Sequence, residues 1–198
     1  MRSRTLTQIA ISLLLLGSMP ALAAPAPGQE SAPQKPEEKK AGDTAEKPPA
    51  PPQREQDYIN VFVGARKEYL SARTAQSKVA ARQHMQIRAH DVIGIDPIAR
   101  GWVGFIMDIT NTPDGDRQLT ISIAPNVSLA TWGNRYDDAQ HGTLLKKYTP
   151  LYEALDNVMV GTPVLFDAVL IGARITDDES MVLRPEVITK FLALKPYP

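Results

Sequence analysis

Asp137, Asp138 and His141 are the residues whose types and spacing come closest to a chemical site. Two carboxylates and an imidazole this close together can hold a divalent metal or pass a proton as general acid and base. The same stretch carries Gly133, Asn134 and Gly142, so its plain alternative is a flexible polar connection. Asp114 and Asp116 flank Gly115, with Asp108 shortly before them. A calcium loop needs more oxygen ligands at fixed spacing and a late bidentate Glu, which is missing here, so an acidic turn is expected. Asp177, Asp178 and Glu179 form a like-charge run. Convergence would raise the pKa of at least one of them, but at a turn tip they point apart into solvent.

Three aromatic residues offer a different chemistry. Trp102, Trp132 and Tyr136 are the predicted ligand-binding residues, able to stack on a sugar ring or another flat ligand. Trp102 falls on the face of its strand predicted to point away from the core. It is then exposed unless Phe62 or Tyr69 of a preceding helix covers it. No catalytic residue, metal ligand or cofactor site is predicted. The chain has no cysteine, which excludes thiolate metal sites, thiol nucleophiles and disulfides. Its histidines, His84, His90 and His141, are not at metal-ligand spacing on one element. No Ser-His-Asp order, phosphate loop or paired-carboxylate motif is present. Asn126-Val127-Ser128 matches a glycosylation acceptor and reads as a chance match.

The elements that must position these residues begin after residue 53. Residues 1–23 are a predicted secretory signal peptide: Arg2 and Arg4, then the apolar run Ile9 to Leu16, then Ala21-Leu22-Ala23. That apolar run is shorter than the roughly 20 residues a spanning helix needs. No membrane span is expected in the mature protein, which is placed in the periplasm or secreted. The whole chain has 22 basic and 22 acidic residues. Without Arg2 and Arg4 the balance is 20 basic to 22 acidic. A near-neutral exported chain argues against nucleic acid as a partner, because that binding runs on clustered Lys and Arg. Residues 24–53 are Pro, Ala, Glu and Lys without large apolar side chains, and are predicted to be a disordered, Pro-rich spacer.

Residues 54–90 are predicted to be one amphipathic helix packed on the domain that follows. Tyr58, Phe62, Ala65, Tyr69 and Ala72 step by four and three, and Val79 continues the stripe after Gln76. Basic residues outnumber acidic ones along it and are read as a solvated face. Past residue 100 the apolar period changes to two. Val103, Phe105, Met107 and Ile109 are predicted to face the core, and Leu119, Ile121 and Ile123 mark a second strand. Between them, Pro113-Asp114-Gly115 marks a tight turn, so the two strands form a hairpin. A third strand is expected at Val127 to Trp132. Thr149 and Pro150 then open a helix with Leu151, Leu155 and Val158 on one face. Strands at Val164 to Ile171 and Val187 to Leu194 complete the chain.

Five short strands with a helix between the third and fourth predict a mainly β, α+β fold. The predicted architecture is an OB-fold-like Greek-key barrel over 98–198, preceded by the amphipathic helix. Trp102-Val103-Gly104, Leu151-Tyr152-Glu153-Ala154-Leu155 and Val160-Gly161-Thr162-Pro163-Val164 resemble exported bacterial proteins with an OB-fold-like domain of unknown role. The resemblance spans about residues 98–195. It implies the fold and an envelope location, and brings no site residues with it. The expected function is a non-enzymatic periplasmic binding module acting on an envelope protein or glycan. Two alternatives stand beside it: a small hydrolytic or metal-assisted enzyme using Asp137, Asp138 and His141, and a structural subunit of an envelope complex.

Overall fold

The computed structural model describes residues 50–174, 177 and 179–197. The predicted signal peptide, most of the spacer and Asp178 lie outside the described residues.

Two helices come first. α1 spans Gln53–Ser71 and α2 spans Ala75–Ile93. The single helix predicted over 54–90 is therefore a hairpin of two. The break is local chemistry: Thr74 caps α2 by accepting from the Ser77 amide, while the Ser77 hydroxyl in turn accepts from the Thr74 amide. That reciprocal box starts a new helix at 75, whatever the apolar stripe does on either side. At the far end, Arg54 ties the two helices together. Its guanidinium donates to the carbonyls of Val92, Ile93, Asp96 and Ile98, satisfying acceptors that the end of α2 leaves open.

Five strands follow: β1 Ile98–Asn111, β2 Arg117–Ala124, β3 Val127–Ala130, β4 Pro163–Ala173 and β5 Glu186–Pro196. They close in the order β1-β2-β3-β5-β4, with β4 returning to β1. Only the β3–β5 pairing is parallel. This is an OB-fold-like barrel, as the order of elements predicts. Between β3 and β4 lie α3 (Arg135–Asp138) and α4 (Pro150–Ala154), the latter running on into a 3-10 turn at Leu155–Asn157. α5 (Ser180–Leu183) joins β4 to β5. Thr149 caps α4 as expected, accepting from the Tyr152 amide. Arg117 fixes α4 to the barrel through Tyr152 O at 2.9 Å, the Tyr152 ring face and Asp156 at 2.6 Å.

The parity of β1 differs from the prediction. Trp102, Gly104 and Ile106 point inward, and Phe105 and Met107 point out. The cause is a bulge between Ile106 and Asp108. One extra residue there switches the face, so Ile109, opposite Leu119, is inward on the far side of the bulge. Reading Ile109 as core is right; carrying its parity back through Met107, Phe105 and Val103 is wrong. Gly104 lets β1 and β2 approach closely, since a Cβ there would sit 2.5 Å from Ile121 Cγ2 and 2.7 Å from Ser122 O.

Candidate functional site

Trp102 is 1% exposed and packs against Tyr58 of α1, ring centroids 5.4 Å apart. Tyr58 in turn meets Phe62 edge-on at 4.9 Å. Trp102 is thus a core residue under α1, and cannot be part of a stacking surface. The cover comes from Tyr58, one turn before the Phe62 named from the sequence.

Trp132 and Tyr136 lie elsewhere. Trp132 follows β3, at the level where Thr131 bonds Leu119 O and Thr110 pairs with Gln118. That is eight residues along β1 from Trp102, about 26 Å at the rise of a strand. Trp132 is half-buried, with the Arg174 guanidinium 5.4 Å from its ring centroid. Arg174 is held by Thr131 O at 2.8 Å and Glu186 at 2.7 Å. Tyr136 is 92% exposed on α3. It lines an open polar cleft with Asp114, Arg135, Asp138 and Lys146. The three predicted aromatic residues do not form one platform.

The Asp137, Asp138 and His141 loop is built around Asp138. This carboxylate is buried and accepts from the Thr143 amide, the Thr143 hydroxyl at 2.7 Å and the Leu144 amide at 3.2 Å. It staples the loop, and its lone pairs are turned to the backbone. Asp137 accepts from the Asn134 side chain at 2.7 Å, and His141 is exposed. Of the acidic turn, Asp116 pairs with Lys146 at 2.7 Å and so fixes the β1–β2 turn to the same loop. Asp177, just before α5, accepts from the Ser180 hydroxyl and amide, which hold its carboxyl below the usual range. Among the described residues no three His, Asp or Glu side chains converge as a metal site.

Glu55 is a group the sequence did not single out. It is 1% exposed on the first turn of α1, and its Oε2 accepts from the Val103 amide at 3.0 Å. Burial pushes its pKa up to about 7, against the smaller opposite pull of that hydrogen bond. Arg54 and Glu55, adjacent in sequence, thereby fasten the helical hairpin and clamp it to β1.

The wall of β1 presents exposed apolar side chains. Phe105 is 55% exposed, and Met107 beside it is exposed as well. The turn bearing the exposed Met159 and Val160 is bonded to β1 between them: Gly161 N donates to Ile106 O at 2.7 Å, and Ile106 N to Thr162 O at 3.0 Å. Phe105 pairs with Ser122 of β2, so hydroxyl-bearing positions border the apolar band. The aromatic exposure that Trp102 would offer if left uncovered is found three residues later, at Phe105. The bulge that causes this has no sequence signature beyond a run of apolar residues on both parities.

Among the described residues no helix is long and apolar enough to cross a membrane. Comparison with known protein families, with curated proteins and with solved structures gives no match.

Proposed function

We propose that this chain is a non-enzymatic binding module of the bacterial envelope, exported by residues 1–23 and acting in the periplasm or outside the cell. Its ligand-facing surface is the β1 wall at Phe105 and Met107 with the Met159-Val160 turn, and its partner is a protein. The observation that carries this reading is the exposed apolar band of Phe105 and Met107 on the same strand whose Trp102 and Ile106 are buried. Contiguous exposed apolar surface rimmed by polar residues marks interaction sites. Methionine adds adaptable contact area that suits a protein surface. Asp138, the best carboxylate for the enzymatic alternative, is committed to three hydrogen bonds within its own loop.

The test is capture of partners from crosslinked cell envelopes by the tagged protein, read by mass spectrometry with a glycan blot alongside. The wild type should enrich one protein at near-equal amount, and the Phe105→Ser/Met107→Ser variant should lose it while keeping its melting temperature. Enrichment unchanged by the double substitution would overturn the assignment of the site. Retention of glycan lost with Phe105→Ser would move the same face to a carbohydrate ligand.

A further inference from the structure

We infer that the groove between α1, the β2–β3 turn and α5 receives an acidic amphipathic helix of a partner protein. The groove has a volume of about 590 Å³ and is separate in its residues from the β1 wall. Val63 and Leu70 of α1 form one side, with Pro125 of the turn and Leu183 of α5 on the other. Leu70 is 63% exposed, and Val63 is exposed too.

The form of the occupant follows from the backbone. The barrel is closed, so no strand edge is open for an extended peptide to join. What α1 presents instead is a second apolar seam beside the one it buries. Val63 and Leu70, with Arg66 between them, step by three and four residues. That spacing is the seam of helix-on-helix packing. It runs about 10 Å along α1, room for about two turns of a partner helix.

The charge of the occupant follows from the side chains at its rim. Arg66 and Lys67 are the charged residues that line the groove, and neither makes an ion pair among the described residues. Glu68, the next residue, is held on another side by His84 at 3.0 Å. Beyond the groove, Arg73 and Lys78 extend the same sign along the hairpin tip. A helix with leucines on one face and carboxylates along its edge matches both features, and a basic one is repelled.

The test uses two labelled synthetic 18-residue helices with the same leucine face, one with a glutamate-rich polar face and one lysine-rich, titrated into the purified protein and followed by anisotropy. Amide shift mapping on the wild-type protein locates each peptide. The glutamate helix should bind at least tenfold more tightly and shift Val63, Leu70, Asn126 and Leu183. Arg66→Glu/Lys67→Glu should reverse the preference, and Leu70→Ser should weaken both. Equal binding of the two helices, shifts that map elsewhere, or no binding at millimolar peptide would overturn the inference. So would binding to vesicles of 30% phosphatidylglycerol that persists when the peptides fail, which would make the basic tip a lipid contact. None of these outcomes touches the β1 wall, whose own test is the Phe105→Ser/Met107→Ser capture.

Discussion

Trp102 and Phe105 lie three residues apart on β1, one at the barrel end that α1 covers, the other on the open wall. Trp102 is enclosed by Tyr58, by the inner face of the barrel and by the helix that carries Glu55. Phe105 has more than half of its surface in water. The two have the same chemistry to offer, a large apolar ring, and one supplies packing while the other supplies contact area. Chain position does not decide between them. The covering helix and the bulge after Ile106 do.

That contrast is broken most sharply at Trp102. Trp102→Ala empties a close-packed site and should cost about 3–5 kcal/mol by urea denaturation. A loss under about 1 kcal/mol would mean that α1 does not cover it.

The next effect concerns the clamp at the same covered end. Glu55 has its pKa raised from 4.5 to about 7 in the folded state. Between these values the unfolded chain gives up its proton while the folded one keeps it. Stability therefore falls as pH rises from about 4.5 to about 7 and stays reduced above that. The loss is of the order of 3 kcal/mol at most. Glu55→Gln keeps an acceptor for the Val103 amide and removes the charge. The melting temperature of the variant should exceed the wild type's at pH 8 and match it at pH 4.5. Equal melting temperatures at pH 8 would show that the carboxylate is solvated.

Smaller still is the staple on the far side of the molecule. Asp138→Ala removes three hydrogen bonds to a carboxylate and should cost about 2 kcal/mol, with amide exchange accelerated over residues 139–144. His141→Ala, at an exposed position, should cost nothing measurable by the same method. If both substitutions left stability intact but abolished a measured activity, the loop would be a chemical site instead.

Much of the barrel was legible. The Pro113-Asp114-Gly115 turn, the alternation at Leu119 and Ile121, and the Thr149-Pro150 helix start are all set by neighbours in sequence, and the structure has each of them. What escaped depends on partners distant in the chain or on a local exception to a period. Glu55 carried no sign of burial, because nothing near it in sequence reveals that β1 will close over it. The Thr74 and Ser77 box lies within a convincing helical stripe and outweighs it. Trp102 and Phe105 exchanged roles because a strand of apolar residues on both parities carries no internal sign of its inward face. The bulge at Met107 then made one correct residue, Ile109, misleading for the rest.

The central claim is that β1 keeps Trp102 for the fold and leaves Phe105 for a partner. The most direct measurement is the paired urea denaturation of Trp102→Ala and Phe105→Ala against the wild type. The expected loss is about 3–5 kcal/mol for the first and less than about 1 kcal/mol for the second. Equal losses, or a larger one at Phe105, would contradict it.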